Sequence, residues 1–213
     1  MVVLHDELVD RTTDGSGPVR ALSHTALARL DAGYRFRAPD GTFPYRDRGI
    51  RVPTLAELLE AHPDAPLNIE IKQQTPAIEH AVLETLDRHG ARGRTLLAAE
   101  DADIMARIRA AAPDVVTSFS AAEVADFVFR LRRDDFACWT PRGVALQVPP
   151  AYLDTAIITP ESVAVAHRFG VEVHAWTIND AAEMERLLDL GVDGIMTDLP
   201  AVGARVVARR RGG

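Results

Sequence analysis

From Leu67 to Arg211 the chain repeats one arrangement, a short apolar strand followed by a turn and a helix with an apolar stripe. Strands are predicted over 67–72, 94–99, 114–119, 144–148, 171–178 and 194–197, and helices over 76–89, 101–112, 121–132, 160–169, 180–190 and 200–211. The helix ends carry their own signals: Asp101 and Thr159 are N-caps, and Gly90, Gly170 and Gly191 are stops. Strands alternating with helices at this pitch make βαβ units and a parallel sheet. Six strands are two short of a closed eight-stranded ring, and Met1–Leu4 opens in mid-strand with no lead-in. The reading is an α/β fold, a TIM-type (β/α)8 barrel that is N-terminally truncated. A strand–helix–strand unit of about 30 residues or more would complete it.

Composition narrows the function classes. A net charge of −7 argues against a general nucleic-acid surface, and an anionic substrate would need a local positive site built against that background. No apolar run approaches a membrane span, so no integral membrane segment is expected; no leader is visible, which says little for a chain that opens in mid-strand, and the location is read as cytoplasmic. The single cysteine, Cys138, excludes an internal disulfide and reads as an inert, partly buried thiol. All 213 residues are read as a single incomplete barrel domain.

Leu67-Asn68-Ile69-Glu70-Ile71-Lys72 sits at the centre of that plan. Side chains two apart on a strand share a face, so Glu70 and Lys72 point one way and Leu67, Ile69 and Ile71 the other. One stave thus carries an acid and a base into an interior, where charges must pair or bind something. Two readings stand: a structural Glu–Lys pair, or a metal-binding carboxylate beside a phosphate-binding lysine. Active sites of such barrels lie at the carboxyl ends of the strands. There the chain puts His5, Gln147, a face with His174, Trp176 and Ile178, and Thr197-Asp198.

Before the repeats the chain is irregular. Residues 11–18 are dense in turn formers, and residues 34–51 are rich in Pro, Gly, aromatics and Arg. Ser23 caps a short helix to Leu30, and Thr54 with Glu57 forms a capping box. Tyr34, Phe36, Phe43 and Tyr45 either rim the pocket mouth or form a satellite core, and the usual burial of aromatics favours the core. Arg209-Arg210-Arg211 suits the cation-favouring end of a helix.

These residues carry a resemblance. Val3-Leu4-His5-Asp6 with Arg11-Thr12-Thr13-Asp14-Gly15, Leu30-Asp31-Ala32-Gly33, Val52 to Leu59, and Asn68 to Lys72 look like successive signatures of the glycerophosphodiester phosphodiesterase family. Ala145 to Pro149, Val173 to Asn179 and Gly191 to Asp198 continue the series in the same order. The resemblance implies a TIM barrel with a small insertion over its mouth, matched by residues 10–50. It implies hydrolysis of phospholipid-derived glycerophosphodiesters to an alcohol and glycerol 3-phosphate with a divalent metal, Mg²⁺ or Ca²⁺. By the same match His5 is a catalytic histidine for proton transfer, Glu70 a metal ligand and Lys72 the phosphate-binding residue. Gln147 and Trp176 line the substrate pocket, and His174, matching no catalytic histidine, is a packing residue. The family's His-Arg-Gly signature and its Glu-x-Asp metal pair find no counterpart, so metal binding is expected to be weak and turnover low. The partner implied is a small-molecule glycerophosphodiester, with no nucleic acid. The alternative is a catalytically silent fragment or phosphate-binding domain of the same family. A related barrel acting on sphingomyelin-type lipids is disfavoured, because those enzymes carry disulfides.

Overall fold

A computed structural model describes residues 1–38 and 40–211. The chain divides into two compact units, Met1–Leu67 with Lys72–Arg94, and Asn68–Ile71 with the chain from Thr95 onward.

The first unit holds helices α1 (His24–Leu27), α2 (Leu55–Ala61) and α3 (Glu79–Arg88). Ser23 Oγ accepts from the Ala26 N–H at the start of α1. Thr54 and Glu57 form the expected capping box on α2, a feature contributing about 1 kcal/mol. Buried Leu55 and Leu59 make the inner stripe of α2, which packs on α3, where Val82, Leu83 and Leu86 are buried. Two expectations change here. Helix 76–89 begins only at Glu79, after a cis Thr75–Pro76 bond. Met1–Leu4 is not a strand of the parallel sheet. Val2 makes one antiparallel bridge to Thr54, Val3 N–H donates to Pro53 O at 2.8 Å, and Leu55 N–H donates to Met1 O. An extended segment needs partners for its own N–H and C=O groups, and here the cap of α2 provides them.

The second unit contains the repeats. Strands β1 (Leu67–Glu70, entering the unit at Asn68) and β2 (Thr95–Ala98) pair with each other. Helices α4 (Ala102–Ala111) and α5 (Ala121–Leu131) follow, then β3 (Ala145–Val148), a small hairpin β4 (Ala151–Tyr152) and β5 (Thr155–Ala156), and α6 (Pro160–Arg168). The unit ends with β6 (Glu172–Ala175), α7 (Ala181–Asp189), β7 (Gly194–Ile195) and α8 (Pro200–Arg211). Strands β3, β6 and β7 form a parallel sheet in that order. The predicted strand 114–119 is reduced to two parallel bridges, Leu97–Thr117 and Ser118–Ala145, which link β2 to β3. No closed ring of strands forms among the described residues.

Alternation along the strands decides the core. Leu146, Val148, Val173 and Ala175 are buried among Phe127, Val163, Ala166, Met184 and Leu187 from the helices. Each large apolar side chain buried there contributes about 1.5–3 kcal/mol. The opposite face carries Gln147, His174 and Trp176, all half-buried. Gly170 and Gly191, with φ of 70° and 90°, take the left-handed conformation that ends a helix, as their sequence positions predict. α8 closes in the triple arginine, with Arg210 paired to Asp189 at 2.7 Å and Arg209 to Glu185 at 3.4 Å.

Candidate active site

In the second unit the candidate residues lie on the β3–β6–β7 face. Gln147 stands opposite His174, and His174 opposite Gly194. A Cβ on Gly194 would lie 2.7 Å from the His174 ring, so only glycine leaves room for that imidazole. His174 Nε2 lies 2.9 Å from Glu172 Oε2 and its Nδ1 lies 3.3 Å from Gln147 Nε2. A carboxylate only accepts, so in the neutral ring Nε2 carries the proton and Nδ1 accepts from the Gln147 amide. The Gln147 amide oxygen is thereby left as the group that can accept a hydrogen bond from a ligand hydroxyl. His174 is therefore more than the packing residue expected; its signal in the sequence is the Glu172-x-His174 spacing, which puts both side chains on one face of β6.

Trp176 lies just past β6, its N–H donating to Val148 O at 3.2 Å and its peptide bond to Thr177 cis. Ile178, expected beside Trp176, instead joins the buried core, because the alternation ends with β6 and Ile178 N–H donates to Met196 O. Below it the Asn179 side chain ties two strand ends together. Its amide donates to Asp198 Oδ2, and its Oδ1 accepts from Thr197 Oγ1 and the Asp198 N–H, each at 2.9 Å. At the other end of β6, Asp193 Oδ2 accepts from the Val173 N–H and lies 2.8 Å from His167 Nε2.

Glu70 ends β1, and the alternation there is as expected: Ile71 is buried, while Asn68, Glu70 and Lys72 share the other phase. That phase is exposed, so the interior predicted for the acid and the base is not formed. β1 pairs with β2 alone among the described strands, and a two-stranded sheet does not enclose its second face.

In the first unit, His5 is exposed and held by its neighbours. Its Nδ1 lies 2.7 Å from Asp6 Oδ1. Arg11 donates to the same carboxylate from Nε at 2.5 Å and from Nη2 at 3.0 Å. The Arg11 guanidinium, and after it the His5 ring, hold the Asp6 carboxyl well below the usual carboxylate range. Asp6 therefore stays ionised and fixes the proton of His5 on Nδ1, leaving Nε2 available for proton transfer. The sequence names His5 but not this relay, whose signal is a carboxylate directly after the histidine and an arginine five residues further on.

The residues tested as a metal cage do not fit one: among the described residues no three His, Cys, Asp or Glu side chains converge to hold an ion. Lys72 and His5 belong to the first unit, and Glu70, Gln147 and Trp176 to the second. Cys138 is exposed rather than partly buried, because Phe136 and Trp139 beside it take the places in the aromatic packing.

A family model for the glycerophosphoryl diester phosphodiesterase family matches residues 1–202. The chain belongs to that family. It is 30% identical to a glycerophosphodiester phosphodiesterase of Caldanaerobacter subterraneus over 220 aligned positions, covering 100% of this chain and 82% of the relative. It is also 30% identical to a probable glycerophosphodiester phosphodiesterase of Mycobacterium tuberculosis, covering 92% of this chain and 70% of that one. Among solved structures, a glycerophosphoryl diester phosphodiesterase domain from Mycobacterium tuberculosis superposes with a TM-score of 0.83 at 22% identity, over 96% of this chain and 82% of that one. An Oleispira antarctica phosphodiesterase in complex with the product sn-glycerol-3-phosphate gives 0.74 at 23%, over 97% and 79%. The α/β arrangement is thus the fold of the glycerophosphodiester phosphodiesterases. The Asn179 tie and the Asp193 clasp lie in stretches that carry the family resemblance.

Proposed function

We propose that the chain hydrolyses glycerophosphodiesters to an alcohol and glycerol 3-phosphate. The observation that carries this reading is the family match across residues 1–202. The chemistry is supported by the Arg11–Asp6–His5 relay, which leaves one imidazole nitrogen available for proton transfer. His5 Nε2 takes a proton from the attacking water as its oxygen bonds to phosphorus, and gives it to the alcohol oxygen as that P–O bond breaks. Lys72 offsets the phosphoryl charge, the Gln147 amide oxygen accepts from a glycerol hydroxyl, and Trp176 packs against the glycerol carbons. Glu70 is proposed as one oxygen ligand of Mg²⁺ or Ca²⁺. A single carboxylate does not make a cage, and no step here runs through an ion.

The finer architecture belongs to the same proposal. The five strands β1, β2, β3, β6 and β7 and the 117–118 bridges are six staves of a (β/α)8 barrel, and residues 10–50 are the family-type insertion. A cytoplasmic location is proposed with it; no described helix is long and apolar enough to cross a membrane.

The test is turnover of sn-glycero-3-phosphocholine by the full chain with Mg²⁺ or Ca²⁺, read as glycerol 3-phosphate released. The expected result is product that disappears in His5→Asn. No product at high protein concentration, with glycerol 3-phosphate still bound, favours the second reading, a silent phosphate-binding member. The absence of a converging ligand cluster among the described residues is the observation that keeps that reading open.

A further inference from the structure

Residues 34–51 contradict the satellite core expected of their aromatics. Phe36 is 51% exposed, Phe43 40%, Tyr45 46% and Ile50 40%. The described part of this segment is nevertheless built, not slack. Asp31 accepts from the Gly33 and Asp47 N–H groups at 2.8 and 2.7 Å, and Ala32 N–H donates to Ile50 O at 2.8 Å. Arg46 donates to Tyr34 O at 3.0 Å, with its guanidinium 4.2 Å from the Tyr34 ring centre and 3.9 Å from that of Phe43. Phe36 and Tyr45 pack ring on ring at 4.8 Å. The fold thus presents large apolar groups to solvent on a braced platform.

The charge of this segment departs from the rest of the chain. It has five arginines against two aspartates, net +3 within a chain of net −7. Arg35, Arg37, Arg48 and Arg51 are exposed, and no ion pair involves them among the described residues. The Asp40 carboxylate accepts from the Thr42 hydroxyl at 2.7 Å and its N–H at 2.9 Å; Asp40 and Asp47 are exposed as well, and the four exposed arginines outnumber them two to one.

We propose that residues 34–51 form a docking surface for an anionic lipid bilayer. Rings and isoleucine enter the boundary between headgroup and acyl chain, and the arginines engage the phosphates above it. A second copy of the chain fits poorly, because two such surfaces face each other with like charge. A nucleic acid would be met by the arginines but leaves Ile50 and Phe36 without an apolar phase. This inference does not rest on the hydrolase reading, since vesicle binding is measured without turnover.

The test is sedimentation of the full chain with vesicles of phosphatidylcholine alone or mixed with phosphatidylglycerol, at ~0.1 and ~0.5 M salt. Binding is expected to the mixed vesicles only, and to fall with salt. Removing two surface charges in Arg37→Gln/Arg48→Gln lowers partitioning about 25-fold, from roughly fivefold per charge. Phe36→Ser lowers it about tenfold or more, from the transfer of one large apolar side chain. Thermal unfolding of each variant separates lost binding from lost fold, and the exposed charge pair is the decisive variant if Phe36→Ser unfolds. The proposal is overturned by equal binding to neutral vesicles, by no binding, or by binding that the charge variant leaves unchanged. It is also overturned by tighter binding to a duplex or single-stranded oligonucleotide, or by a concentration-dependent dimer that Phe36→Ser dissolves.

Discussion

Replacing Arg109 with alanine removes the clasp that joins two helices to the link between β2 and β3. Arg109 lies on α4, and its guanidinium donates to Glu123 Oε1 at 2.5 Å and Oε2 at 3.2 Å. It also donates to Thr117 Oγ1 at 3.1 Å and Ser118 O at 3.0 Å, within the bridged 117–118 segment. Glu123 closes the capping box of α5, so one carboxylate serves the helix start and the ion pair together. The two side chains are 17% and 19% exposed, with Arg142 3.9 Å away as a second, exposed cation. Breaking a buried pair costs about 3–5 kcal/mol, and the residual exposure argues for the lower end, about 3 kcal/mol or roughly 150-fold in the unfolding equilibrium. Urea unfolding followed by fluorescence reads this as a lower midpoint at unchanged slope. The pH dependence adds a second check. Burial pulls the Glu123 carboxyl up, but Arg109 and the Ser120 N–H outweigh it, and the net shift is downward. A depressed folded value stabilises above the unfolded carboxyl value near ~4.3, and that contribution is lost as pH falls through the folded value. In Arg109→Ala burial acts with less opposition, so the deficit shrinks on acidification as Glu123 takes up a proton. A deficit constant from neutral pH to pH ~3, or an Arg109/Glu123 coupling under ~0.5 kcal/mol in a double-mutant cycle, refutes the reasoning.

Further outcomes follow from the same geometry. Asn179→Ala loses the three bonds joining the ends of β6 and β7 and costs about 2 kcal/mol in urea unfolding. Asn179→Asp is worse than Ala at neutral pH, because its carboxylate faces Asp198, and recovers part of the loss in acid; a variant indifferent to pH contradicts the tie. Nitrogen NMR of His174 is expected to find the Nε2–H tautomer, and Glu172→Ala to weaken that bias while the Gln147 amide still holds part of it; an Nδ1–H ring in the native chain disproves the orientation assigned to Gln147. Thr54→Ala removes the side-chain half of the capping box, the Oγ1 that accepts from the Glu57 N–H, while the backbone N–H at 54 still donates to Glu57; it lowers stability by about 1 kcal/mol, and no measurable change argues that α2 is held by packing alone.

Much of the architecture was legible because it is written in local chemistry. Caps at Ser23, Thr54, Asp101 and Thr159, and stops at Gly90, Gly170 and Gly191, act within a few residues of themselves, and each is found where the sequence puts it. The alternation of Leu146, Gln147, Val148 and of Val173, His174, Ala175 predicts which side chains enter the core, since a strand has only two faces. The series of motifs from Val3 to Asp198 identified the family, and His5, Gln147 and Trp176 as the residues to inspect.

What the sequence could not contain is the set of partners each residue meets from far along the chain. Met1–Leu4 reads as a strand by composition, yet a strand exists only where another offers hydrogen bonds, and here the cap of α2 offers them instead. Glu70 and Lys72 alternate as predicted, but whether a face is interior depends on what covers it, and that face is exposed. The aromatics at 36, 43 and 45 were assigned to a core by their usual burial, while the bracing by Asp31 and Arg46 turns them outward. Arg109 and Glu123, 14 positions apart, became a pair only when α4 and α5 packed. Periodicity, caps and motifs are properties of neighbours in sequence; burial, pairing and the direction of a hydrogen bond are properties of neighbours in space.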